Sequence, residues 1–170
     1  MARAELKQDA TEARIAALTM PPGGKWATSV RADALARLRA MGLPARRDEY
    51  WRYTRPDTLT AQDAPTAALF DGKEPPVFDA VDRLRIVFVD GVFDAAASDD
   101  LSMSGVEIDR LETAAQADIH WAKDLYGVLE ARGQKPVDRP LAALNSAFAS
   151  DGVLIRVTGK AAKPISLIYV

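Results

Sequence analysis

This 170-residue chain contains no cysteine and a single histidine, His120. The first absence excludes a disulfide framework, a thiol nucleophile and a thiolate-ligated metal. The second argues against a zinc centre built from this chain alone, since such sites draw mainly on imidazole and thiolate ligands. No apolar run approaches the ~18 residues of a membrane span, so no membrane partner is expected. Around the N-terminus, Glu5, Asp9 and Glu12 lie among basic residues and leave no apolar signal-peptide core. A cytoplasmic location is the expectation. Long single-sign charge runs are missing too. Residues 1–60 hold 11 Lys/Arg against 7 Asp/Glu, and residues 61–170 hold 11 against 17. This reads as a solvated basic helical surface followed by an acidic one. No basic motif interleaved with aromatics points to nucleic acid.

What remains is an ordinary globular composition, 48% hydrophobic and 27% charged, long enough for one sizeable core. Residues 4–18 read as a helix with a weak Ala-rich face (Leu6, Ala10, Ala13, Ala17), ended by Met20-Pro21-Pro22-Gly23-Gly24. Thr28 or Ser29 is expected to cap a second helix whose stripe is Val30, Ala34, Leu38 and Met41, stopped by Gly42 and Pro44. Arg46 to Thr54 predicts a further helical turn or two that buries Trp51. Thr60 to Pro76 has no sustained period and reads as a connector. Ile86–Val89 and Val92-Phe93 flank Asp90-Gly91, a pair suited to the positive φ angles of a two-residue hairpin turn.

Further on, Gly105–Ile108 is a short strand candidate, and helical character follows from Arg110 to Ala117. Trp121, Leu125, Val128 and Leu129 form a helical stripe ended by Gly133 and Pro136. A last helix from Pro140 to Ala149, with Leu141, Leu144 and Phe148 on one face, leads through Asp151-Gly152 into two strands. Val153, Ile155 and Val157 alternate along the first, and Ile165 to Val170 form the second. A strand so rich in Ile, Leu, Tyr and Val is an edge that needs cover. The expectation is an N-terminal fragment, or a chain that borrows pairing from elsewhere, for example as a homo-oligomer through its terminal strands.

Candidate chemistry is sparse. Pro22-Gly23-Gly24-Lys25-Trp26 lacks the spacing and the Ser/Thr of a phosphate loop, so a linker is favoured. Asp94, Asp99, Asp100 and the Asp48-Glu49 pair could be offered as acid/base groups. Adjacency in sequence gives neither convergence nor separated pKa values, and turn or cap roles are favoured. His120 beside Trp121 is read as structural. Glu49, Trp51, Tyr53 and Thr54 form a denser cluster. On a helix, Tyr50, Tyr53 and Thr54 would share a face and Trp51 would be rotated off it. Such residues suit a recognition surface, but the favoured reading is that Trp51 and Tyr53 cement the helical region onto the rest of the fold.

Three blocks carry a resemblance. Gly42 to Thr54, GLPARRDEYWRYT, is similar to the G-x-P-x-x-x-x-E-x-W-x-Y-T segment of the SufB/SufD family of iron–sulfur cluster assembly proteins. Glu49, Trp51, Tyr53 and Thr54 match it, with Tyr50 where a second acidic residue is common. The hairpin FVDGVFD follows in the family's order. AALNSAFASDGVLIRV and KPISLIYV then resemble the start of the β-helix in the family's SufD branch. The resemblance spans about Gly42 to Val170 and, more loosely, the N-terminal helices. It implies an α+β fold: an N-terminal helical region (1–59), a connector (60–83), a hairpin and helical element (84–136), and a helix leading into the first strands of a right-handed parallel β-helix (137–170). It also implies a non-catalytic scaffold role beside a SufB-like subunit and a SufC-like ATPase. No catalytic, cofactor or metal residue is assigned to this chain. The alternative is the beginning of a β-helical carbohydrate-active enzyme, whose acidic groups would lie along its rungs.

Overall fold

The computed structural model describes residues 2–61 and 77–170, with side chains from residue 6. In chain order the helices are α1 (Ala2–Ala16), α2 (Lys25–Met41), α3 (Asp57–Thr60), α4 (Leu111–Ala114), α5 (Val128–Arg132) and α6 (Pro140–Phe148). The strands are β1 (Leu84–Val89), β2 (Val92–Phe93), β3 (Val106–Arg110), β4 (Val153–Val157) and β5 (Ile165–Tyr169). Short 3-10 turns occupy Glu49–Trp51 and Trp121–Asp124. The fold is α+β. Contacts divide it into two compact units that interleave along the chain: Met1–Thr66 with Ala115–Ala149, and Ala67–Ala114 with Ser150–Val170. This differs from the four consecutive segments expected. Most of the connector (62–76) lies outside the described residues.

The first unit is helical. Gly24 starts α2 in extended conformation without a side-chain cap. The expected caps at Thr28 and Ser29 therefore fall inside the helix. Thr28 donates its backbone N–H to the Gly24 carbonyl and its hydroxyl to the Gly23 carbonyl. The buried face is Ala27, Arg31, Ala34 and Leu38, so Arg31 takes the place expected for Val30. Periodicity could not favour an arginine there, because the carbonyls that its head group meets, those of Pro21, Pro22 and Ala149, lie nine or more positions away. Gly42 ends α2 as expected, at φ +67 with its N–H donated to the Leu38 carbonyl.

Helix α6 packs along α2. Leu38, Leu43 and Ala143 form a buried cluster with Ile15, Leu35, Leu141 and Leu144 against it. Small residues make this closeness possible: Pro140, Ala143, Ser146 and Ala147 are the buried positions of α6, while Leu141, Leu144 and Phe148 are half-buried. The stripe expected from Trp121 to Leu129 does not form one helix. A 3-10 turn gives way to Gly127 at φ +76, and Leu129 is 80% exposed.

The second unit holds two small sheets. One has the order β2-β1-β5, with β1 antiparallel to β2 and parallel to β5; the other pairs β3 with β4 antiparallel. The hairpin stands as expected, with Phe88 opposite Phe93 and Val89 opposite Val92. Its turn places Asp90 at φ 48 and Gly91 at φ 80, the double positive-φ conformation that matches strand twist. Leu84, Ile86 and Phe88 form the core, covered by Phe93, Leu101, Met103, Ile108, Val153 and Ile165. The terminal strands do not pair with each other, and of the ladders they make only β1–β5 is parallel. The helix expected from Arg110 to Ala117 shrinks to α4, since β3 extends through Arg110 to complete its ladder with Val153.

Candidate interaction groove

The segment leaving α2 is tied down by hydroxyl and carboxylate groups before it reaches its aromatic residues. Leu43 donates its N–H to the buried Thr11 Oγ1 at 2.9 Å, and that hydroxyl donates to the Lys7 carbonyl at 2.7 Å. Asp48 Oδ2 accepts from Lys7 Nζ at 2.9 Å and from the Ala45 N–H at 3.0 Å, closing a tight turn. Trp51 donates its backbone N–H to the Asp48 carbonyl, so the 3-10 turn starts from this anchored carboxylate. Gly42 allows close approach here: a Cβ on it would lie 3.0 Å from Lys7 Cε.

This anchoring shapes a groove of about 640 Å³. Met41, Gly42 and Pro140 contribute apolar lining from the helix ends. The Asp48–Trp51 turn supplies one side with Lys7, and Pro136, Val137 and Asp138 supply another. Two of the sequence-selected residues, Glu49 and Trp51, line it; Tyr53 and Thr54 do not. Trp51 is half-buried, so only part of the expected burial is met. Tyr53 is 91% exposed and cements nothing among the described residues; the Arg52 guanidinium lies 5.5 Å from its ring centre. Because the turn is 3-10 and not a longer helix, the expected face of Tyr50, Tyr53 and Thr54 is not assembled. Sequence reading missed Lys7 and Asp138, which lie far from the block along the chain. No local signal pointed to them.

The other candidates take structural roles. Asp94 Oδ1 accepts from the N–H groups of Ala96 and Ala97, and Asp100 Oδ1 from that of Ser102. Asp99 accepts both the guanidinium and the backbone N–H of Arg85, which holds its carboxyl below the usual carboxylate range. His120 stacks on Trp26 and lies 5.1 Å from Trp121, its Nδ1 accepting the Ala122 N–H. In the glycine pair, Gly24 donates its N–H to the Ala115 carbonyl, while a Cβ on Gly23 would crowd Arg31 Nη1 at 2.9 Å. Arg110 pairs with Asp151 and Glu112 and covers the Phe93 ring at 4.6 Å, tying β3 to the residues before β4. Among the described residues no cluster of three or more His, Asp or Glu is placed to hold a metal. No described helix is long and apolar enough to cross a membrane.

Fold and groove define an α+β module in which Asp94, Asp99, Asp100 and His120, outside the groove, hold turns and a strand in place. The chain belongs to the family described as SufBD protein N-terminal region, whose model matches residues 24–167. Membership places it in the SUF iron–sulfur cluster assembly family and implies assembly with other SUF components. No curated protein matches the chain.

Proposed function

We propose that this chain provides the N-terminal region of a SufD-like, non-catalytic scaffold subunit, acting in the cytoplasm with a SufB-like subunit and a SufC-like ATPase. In this reading β4 and β5 are the first strands of a right-handed parallel β-helix. The chain itself carries no cofactor, and its terminal strands can also join copies of the chain. The observation that carries the reading is the family match over residues 24–167, which contains the whole Gly42–Thr54 block. Its support is that this block is built as an anchored surface groove, while Asp94, Asp99 and Asp100 serve turns and an ion pair. Co-expression of the tagged chain with SufB-type and SufC-type subunits tests it, by affinity capture and light scattering. A defined complex is expected. Elution of the chain alone at every ratio would end the scaffold reading.

A further inference from the structure

We propose that the groove beside Glu49 and Trp51 receives a basic segment of a partner protein, held by ion pairing to Glu49 and Asp138 and by cover of the Tyr50 and Trp51 rings. The inference rests on the scaffold reading in one respect: it takes the occupant to be a protein.

Charge selects the occupant. Asp48, Glu49 and Asp138 line the groove against one ammonium, Lys7. That ammonium is bound to Asp48 at 2.9 Å. The side-chain carboxylates of Glu49 and Asp138 make no ion pair or hydrogen bond among the described residues. Two unanswered carboxylates in a concavity attract a cation and repel phosphate-bearing ligands, nucleic acid included. The rings add a second, independent preference. Tyr50 is 71% exposed at the rim and Trp51 half-buried beside it; aromatic faces hold guanidinium and ammonium groups, best when partly desolvated. Arg52 already uses the neighbouring Tyr53 in this way. Arg46, Arg47 and Arg52 belong to the same stretch but do not line the groove.

Size and lining narrow the choice to a chain segment. A volume of about 640 Å³ takes a few side chains and not a folded domain. Met41, Pro136, Val137 and Pro140 offer apolar surface to the aliphatic stem of an arginine or lysine and to an apolar neighbour.

The test titrates the 170-residue chain with the peptide RLPRLPRLPR and with its glutamate-for-arginine counterpart, reading the Trp51 indole N–H by 1H–15N NMR. The arginine peptide is expected to shift that signal, and the glutamate peptide to leave it unmoved. Glu49→Lys with Asp138→Lys should weaken binding by about tenfold or more, from the loss of two ion pairs and added repulsion. Tyr50→Ala should also weaken it. The control Asp9→Lys with Asp124→Lys makes the same change of net charge outside the groove and should bind as the parent does. All three variants replace exposed side chains, and circular dichroism checks their folding. Equal loss in the control pair, equal binding of both peptides, or a silent Trp51 would overturn the proposal. A chain that assembles with SUF subunits yet shows a silent Trp51 sinks the groove and leaves the scaffold reading standing.

Discussion

The guanidinium of Arg31, in α2, donates to the carbonyl of Ala149 at the C-terminal end of α6, at 3.1 Å. Arg31 is 1% exposed, and its Nη1 donates to the carbonyls of Pro21 and Pro22 at 3.0 and 2.9 Å. A buried cation at a helix C-terminus meets the negative end of the helix dipole, and here three carbonyls replace a carboxylate partner. Arg31→Met keeps the bulk but leaves those carbonyls without donors. It should cost about 3 kcal/mol, measured by thermal or urea denaturation. Burial raises the Tyr126 phenol above its ordinary pKa, and Arg31 opposes that rise. The variant should therefore titrate Tyr126 higher still. An unchanged melting temperature would show that Arg31 does not hold α2 to α6.

Two glycines at nearly the same φ should respond differently. Gly91 sits at φ +80 with open space where a Cβ would go, whereas at Gly105, φ +78, a Cβ would lie 2.3 Å from the Lys160 carbonyl oxygen. Gly91→Val should cost about 1 kcal/mol or somewhat more, from backbone strain alone. Gly105→Ala adds a clash with backbone and should cost several times as much, since the strand end must shift. Equal melting temperatures for the two variants would contradict this geometry.

Asp99 should give the second unit a mild acid sensitivity. Its hydrogen bond to the Arg85 guanidinium, then that to the Arg85 N–H, lower its folded pKa. A lowered folded pKa means stability that is complete above the unfolded value, about 3.9, and lost as pH falls through the folded one. NMR titration of the carboxyl should show the depressed midpoint, and salt should shrink the shift because the pair is exposed. Asp99→Asn should flatten this part of the acid response. A midpoint at or above the ordinary aspartate value would refute the pairing in solution.

The isolated chain should hold no iron–sulfur cluster after anaerobic reconstitution and desalting. Such clusters are ligated mainly by cysteine thiolates, of which this chain has none. A stable visible absorption band of the cluster type would refute the expectation.

Self-association should depend on β5. It borders β1 on one side, no described strand pairs with its other side, and Leu167 is 46% exposed. Leu167→Lys places a charge on that edge. It should lower the mass seen by light scattering while the helical circular dichroism signal persists. A parent that stays monomeric at high concentration, with β5 amides protected from exchange, would rule the edge out.

Local chemistry made part of this protein legible. Asp90-Gly91 specified its hairpin because few residue pairs tolerate two positive φ angles in succession. Gly42 ended α2 because its left-handed conformation depends on the glycine itself. The strands at Val153 and Ile165 followed from period-two alternation, and the Gly42–Thr54 block located one side of the groove.

The rest depended on partners distant in the chain. The buried face of α2 includes Arg31 only because the Pro21, Pro22 and Ala149 carbonyls meet its guanidinium. The Trp121–Leu129 stripe had helical spacing, yet Gly127 breaks it where a side chain would collide with Val30 at 2.7 Å. Alternation showed that β4 and β5 are strands but not that they would pair with β3 and β1, because backbone hydrogen bonds carry no record of sequence distance. Glu49 and Trp51 could be selected from their own block; Lys7 and Asp138, 42 and 89 positions away from Glu49, entered the groove only when the helices packed. The sequence alone thus determined the turns, strands and helix ends, where a residue's own conformational limits decide. Tertiary structure decided which charges are buried, which strands are neighbours and which side chains share a groove, since those depend on packing across the chain.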